Sequence, residues 1–341
     1  MECVRLHDII SKARTVSVIG MCKNAGKTTA LNALIAACDA AGDTLGLTSI
    51  GRDGERSDIV TNTKKPEIYV RRGTVIATAE GLLDEGDISK EIIDSTGINT
   101  PMGEIIILRA MSDGFVQLGG PSITESLTGV RDSLLLLGCD RVLIDGAISR
   151  KSLGTPQLAD GIILCSGASY NADVRITVED TVYIASLFSL PEADAGILHS
   201  NAAFTAKYTV LRDGSWRPAE SSDELIHELK AGAEALVVRG AVTDKTAAEL
   251  LNGARLLKDT LIISEDASRM LLSNSAFQKL KRFTAGFAVL KAARLLAVTV
   301  NPFSAYGNHY DKNNFTELTA SALIKEGLDL PVINVTDVQY A

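Results

Sequence analysis

Three things are scarce in this chain. No CxxC pair occurs among its five cysteines, it has one tryptophan, and no apolar run approaches the ~20 residues a membrane span needs. The cysteines, at 3, 22, 38, 139 and 165, are odd in number, and several sit inside apolar runs. They read as small buried hydrophobes of a reducing compartment, not as a disulfide frame. The four histidines, at 7, 199, 227 and 309, share no metal-ligand spacing. Positive charge is also short: 34 Lys and Arg against 42 Asp and Glu leave a net charge of −8. That balance argues against sequence-independent nucleic-acid binding, which needs clustered cations. Met1–Asp8 is too polar for a signal peptide, so the expectation is a cytoplasmic protein with no membrane and no nucleic acid among its partners. No Gly-x-Ser-x-Gly elbow and no Asp-x-His-x-x-Gly cobalamin pattern is present.

What remains is ordinary globular material. The 341 residues are 46% hydrophobic and 22% charged, which fits two domains or one large one and excludes a disordered chain or a coiled coil. Short β-branched runs alternate with amphipathic stretches. Strands are predicted at Thr15–Ile19, Leu45–Ile50, Glu104–Leu108, Arg141–Ile144 and Gly161–Cys165. Helices are predicted from Gly26 to Ala41, Ser122 to Leu137 and Asn171 to Leu187. This rhythm implies βαβ units, hence an α/β fold with a mostly parallel sheet and helices on both faces. Arg212-Asp213-Gly214-Ser215 between apolar runs reads as a hairpin turn. The expected division is therefore 1–202 as the first domain, 203–220 as a hairpin linker and 221–341 as a second, smaller α/β domain. In that last part strands are predicted at Ala235–Val238, Leu261–Ser264, Leu295–Val300 and Val332–Val335, and helices at Thr243–Leu251, Ala267–Leu280 and Asn314–Glu326. The alternative is that these strands extend the first sheet.

The strongest local signal is the apolar strand Val16–Ile19 running into Gly20-Met21-Cys22-Lys23-Asn24-Ala25-Gly26-Lys27-Thr28-Thr29, with a helix behind it. Strand, Gly-Lys-Thr and helix together are the context of a phosphate loop. Backbone N–H groups of Lys23 to Thr29 converge on anionic oxygens, aided by the helix dipole. Lys27 would reach the β- and γ-phosphates, and the Thr28 hydroxyl would ligate Mg²⁺. Five residues, not four, separate Gly20 from Gly26, and Met21 stands where the first glycine usually is. Asp145 ends the apolar strand beginning at Arg141, where a second carboxylate for the Mg²⁺ shell is expected. Gly146 after it would keep room for phosphate or water. Gly51-Arg52-Asp53-Gly54-Glu55 follows the second strand, making Asp53 and Glu55 candidates for metal contact or water positioning. Gly119–Ser122 is a candidate γ-phosphate sensor, and Arg150 and Lys151 are candidate phosphate contacts. Asn301–Gly307 has the amides and hydroxyls of a functional loop. The Asn-Lys-x-Asp of guanine-specific enzymes is absent, so ATP is the expected nucleotide, with Mg²⁺.

Residues 16–165 resemble the P-loop NTPase branch that holds partition ATPases, dethiobiotin synthetase and metallochaperone GTPases. The resemblance gives Lys27 and Thr28 to phosphate and metal, Asp53 to the acidic site after the second strand, and Asp145 to the metal shell. The partition ATPases' additional lysine has no counterpart, since Cys22 holds its place and Lys23 is one residue off. More narrowly, the chain is similar to the smaller reactivase subunit that serves lysine 5,6-aminomutase and ornithine aminomutase. Cys22–Thr29, Gly51–Glu55, Leu143–Ala147 and Val300–Ser304 carry that likeness. It implies a chaperone-like ATPase with catalytic residues Lys27, Asp53 and Asp145, working beside a larger ATPase subunit on an adenosylcobalamin-dependent aminomutase. A homodimer is a further assembly to expect. Two other readings stand beside it: an ATP-dependent carboxylate-activating enzyme of the dethiobiotin-synthetase kind, and a nucleotide-binding module without catalysis.

Overall fold

The computed structural model describes residues 2–51, 67–148, 156–201 and 204–337. The chain divides into two compact units, Met1–Ala185 with Arg294–Ala341, and Ser186–Ala293. The first begins α1 Glu2–Ile10, β1 Thr15–Gly20, α2 Lys27–Ala41, β2 Leu45–Ser49, β3 Ile68–Val70 and β4 Val75–Ala79. It continues β5 Lys90–Thr100, β6 Gly103–Ala110, β7 Gly114–Val116, α3 Thr124–Leu136, β8 Arg141–Ile148, β9 Gly161–Gly167 and α4 Val174–Phe188. The second unit holds α5 Ala195–Asn201, β10 Tyr208–Arg212, β11 Ser215–Ala219, α6 Ser222–Lys230, β12 Ala235–Val238 and β13 Val242–Thr243. It ends with α7 Asp244–Asn252, β14 Leu261–Ser264, β15 Met270–Leu271, α8 Asn274–Lys281 and β16 Gly286–Val289. The chain then returns to the first unit as β17 Leu295–Asn301, α9 Lys312–Lys325 and β18 Val332–Asn334.

A nine-stranded sheet in the order β18-β17-β9-β1-β8-β2-β4-β6-β5 spans the first unit. Pairing is parallel from β18 through β4 and antiparallel where β6 and β5 are added. All of β1, β2 and β9 is buried, as expected for central strands covered on both faces. Leu45 and Leu47 of β2 share one core with Leu31 and Leu34 of α2, Leu6 and Ile10 of α1, and Val16, Val18, Leu143 and Ile163 of neighbouring strands. The alternate residue, Gly46, faces α3 instead: a Cβ there would lie 3.3 Å from that of Leu134. Ser166 of β9 likewise meets Thr181 of α4, oxygen to oxygen at 2.7 Å. The fold is thus α/β, a large, mostly parallel sheet with helices on both faces. No helix among the described residues is long and apolar enough to cross a membrane.

The second unit has its own five-stranded sheet, β11-β10-β12-β14-β16, with β12, β14 and β16 parallel. Its core includes Val237, Ile263 and Ala288. The Asp213-Gly214 turn joins β10 to β11, with both residues at positive φ (51° and 67°), the mirror-image turn that suits a twisted hairpin. That hairpin is part of this sheet, not a linker, since β10 also pairs with β12. The expected 221–341 domain is corrected in the same way. Leu295–Asn301 and Val332–Asn334 pair beside β9 and complete the first sheet, so the smaller unit is an insertion that ends at residue 293. The helix predicted over Ala267–Leu280 is also interrupted. Asp266 and Ser273 each accept a backbone N–H two or three residues on, and β15 forms between these two caps.

Candidate functional site

The carboxyl ends of β17, β9, β1, β8 and β2 lie side by side, and the glycine-rich loop emerges from the middle one. β1 continues one residue into that loop, where the Met21 N–H donates to the Cys165 carbonyl at 3.0 Å. The Thr181 hydroxyl approaches the Met21 sulfur at 3.0 Å. Asn24 turns left-handed at φ 59°, and Gly26 does so again at φ 90° as the residue capping α2. Ala25, between them, is fully buried against β9. A Cβ on Gly167 would sit 3.0 Å from the Ala25 Cα, so glycine there lets the loop lie on the strand end.

Gly26 brings no capping side chain, and the first turn of α2 holds no acidic residue. No side chain thus caps the helix at Gly26, and its positive dipole end favours an external anion. Lys27 opens the helix, and its stem folds back over the end of β1. A Cβ on Gly20 would lie 2.9 Å from its Cγ and Cδ and 3.2 Å from its Nζ. The unusual spacing thus has a physical role: Gly20, on the strand itself, supplies the bare surface that the lysine stem covers. Thr28 and Thr29 follow in the first turn, both partly exposed, and Lys23 is exposed on the loop.

Asp145 lies on β8 beside Val18 of β1 and Ser49 of β2. Its carbonyl accepts from the Ile50 N–H at 3.1 Å and the Ser49 hydroxyl at 3.3 Å. Burial pushes the Cys165 thiol up to about 11; Thr299 and the Lys27 charge oppose this, while the Asp145 charge adds to it. Burial likewise raises Cys22 to about 11 against the pull of Lys27. Neither thiol is an activated nucleophile at neutral pH.

Gly119–Ser122 comes to the same edge. The Gly51 N–H donates to the Pro121 carbonyl at 3.2 Å, and a Cβ on Gly120 would stand 1.7 Å from the Ser49 carbonyl oxygen. Gly146 serves packing, not open space: a Cβ there would meet the Val18 carbonyl at 2.4 Å. Asp53, Glu55, Arg150 and Lys151 lie outside the described residues. Among the described residues no group of three or more His, Cys, Asp or Glu gathers as a metal site. A Mg²⁺ shared with substrate phosphates needs only one or two protein oxygens, and the Thr28 hydroxyl and Asp145 carboxylate are hard donors of the right kind.

Asn301 is a site residue whose part was not legible in the sequence. It ends β17 beside Gly167, and its amide donates to the Asn24 carbonyl at 3.2 Å. The amide group in a loop after a strong strand was visible; its partner 277 residues away was not.

No family model matches the chain, and no curated protein matches it. Among solved structures, the crystal structure of the chimerical protein CapA2B2 is similar over 51% of this chain and 73% of its own, at 16% identity and a TM-score of 0.30. A likeness that faint supports no argument about function.

Proposed function

We propose that the chain binds ATP with Mg²⁺ at residues 23–29 and hydrolyses it as the smaller, chaperone-like subunit of a reactivase for an adenosylcobalamin-dependent aminomutase. The observation that carries the nucleotide reading is Lys27 folded over Gly20 at a helix N-terminus that no side chain caps, next to a strand that bears Asp145. The loop N–H groups hold the phosphate oxygens, Lys27 stabilises charge on the terminal phosphates, and Thr28 and Asp145 hold the metal shell. Mg²⁺, when bound, neutralises phosphate charge. Asp53, from the resemblance, joins Thr28 and Asp145 for metal contact or water positioning. With no guanine-reading motif, ATP is the favoured nucleotide.

The reactivase assignment rests on the resemblance of the four segments Cys22–Thr29, Gly51–Glu55, Leu143–Ala147 and Val300–Ser304. The partners are then a larger ATPase subunit and the aminomutase. Such a switch works by differential affinity, its ATP form binding the partner better than the empty form. The test is recovery of an inactivated aminomutase given both subunits, ATP, Mg²⁺ and fresh adenosylcobalamin. Recovery is expected with the natural chain and not with Lys27→Ala. Identical recovery with the variant would remove this nucleotide site as the motor. No recovery, with fast ATP use on a carboxylate metabolite, would favour the synthetase reading.

A further inference from the structure

Asn24 is one of two non-glycine residues at positive φ among the described residues, and the other sits in the Asp213 hairpin turn. An asparagine commonly tolerates this conformation because its own side chain bonds locally. Here the Asn24 side-chain nitrogen is buried with no hydrogen-bond partner among the described residues, so it does not stabilise the turn. The bond that does reach this peptide comes from Asn301, whose Nδ2 donates to the Asn24 carbonyl at 3.2 Å. Asn301 is itself fixed at both ends. Its Oδ1 accepts the Phe303 N–H at 3.1 Å, and its carbonyl accepts the Ala168 N–H at 2.9 Å. Its Cβ also backs the second left-handed residue, since a Cβ on Gly26 would lie 2.9 Å from it. One side chain therefore touches both left-handed turns of the loop.

We propose that Asn301 is a positioning residue of the phosphate loop. It holds the Asn24 carbonyl turned away from the anion, so that the N–H groups after it are set before nucleotide arrives. This rests on residues 23–29 being a nucleotide site. The chain's last segment is then part of the site without touching the nucleotide. Preorganisation of this kind appears as affinity, because a loop that must be ordered on binding weakens it.

The experiment is calorimetric titration of Mg·ATP into the full chain carrying Asn301→Ala, Asn301→Asp or Lys27→Ala, with and without Asn24→Gly. Asn301→Asp keeps the shape and the acceptor for Phe303 but puts a carboxylate against the Asn24 carbonyl. Each Asn301 change is expected to weaken binding about tenfold. Thermal midpoints without nucleotide are expected to stay within a few degrees for Asn301→Asp. In the Asn24→Gly background, where the left-handed turn costs a glycine nothing, Asn301→Ala is expected to cost about threefold or less. An equal loss in both backgrounds would overturn the positioning role, and so would no loss in either while Lys27→Ala abolishes binding. Unchanged affinity in Lys27→Ala would instead overturn the nucleotide site and the proposal with it.

Discussion

Lys27→Ala takes the ammonium from the mouth of α2 and leaves the helix N–H groups in place. Mg·ATP affinity is expected to fall about tenfold or more, read by calorimetry; equal affinities would end the phosphate-loop reading. Asp145→Asn keeps the shape of β8 and removes the charge that would hold the metal shell. Hydrolysis is expected to drop far more than nucleotide binding, and normal Mg²⁺-dependent turnover would make Asp145 a structural residue only. The thiols report on the core around them. Burial, reinforced by Asp43, raises Cys38 to about 12, and burial raises Cys165 to about 11. Both stay protonated in the folded chain at pH values where an unfolded thiol, with an ordinary value of 9.0, has ionised. Their contribution to stability is full below pH 9 and is lost as pH rises through about 11. Denaturant midpoints are therefore expected to fall across that window, and to fall less in Cys38→Ala. A midpoint that is flat with pH would contradict these shifts.

At the scale of elements, most of the site-bearing sheet was legible. β1, β8 and β9 carry short, mostly apolar runs that meet a glycine or aspartate, and α2 follows the glycine-rich turn after β1. The part between residues 67 and 118 was hardly legible, apart from the core of β6. β5 alternates poorly because it is an edge strand with Gly97 at φ 72° and two register shifts against β6. The docking of α1 was also hidden, since it depends on Arg141 at the start of β8. The Arg141 guanidinium donates to the Ile10 and Ala13 carbonyls and pairs with Asp43 at 2.5 Å, where His7 lies at 3.0 Å. Burial alone would raise Asp43; its hydrogen bonds to Arg141 and His7 outweigh that and hold the carboxyl below its ordinary value of 3.8. The stability this gives is present above that value and is lost as pH falls through the lowered one. Arg141→Ala is expected to cost roughly 2–3 kcal/mol in denaturant unfolding near neutral pH, since it strands a largely buried carboxylate and takes a donor from the Ile10 and Ala13 carbonyls. A loss under half of that would mean α1 is held by its apolar face alone.

For the whole molecule, the division of the chain misled the sequence reading for a physical reason. β17, α9 and β18 have the composition of any βαβ unit, and nothing local says which sheet a parallel strand joins. That is decided by pairing with β9, more than 120 residues earlier in the chain. A chain ending at residue 293 would lose two strands of the nine and Asn301 with them, while keeping the phosphate loop intact in sequence. It is expected not to bind Mg·ATP by calorimetry; binding like the full chain would show that the last segment is dispensable. The same arrangement sets an order of events during synthesis. The inserted sheet is complete once β16 has emerged at Val289, whereas the first sheet still lacks β17, one of the two neighbours of β9, and β18 beyond it. At ~5–20 residues per second, the remaining stretch to β18 takes the ribosome roughly 2–9 seconds. Stalled nascent chains are expected to show a protease-resistant inserted unit before any nucleotide is retained. On the proposed reading, the loop at residues 23–29 becomes competent only after β17 has delivered Asn301, so a nascent chain would not draw on ATP before the inserted unit is already folded.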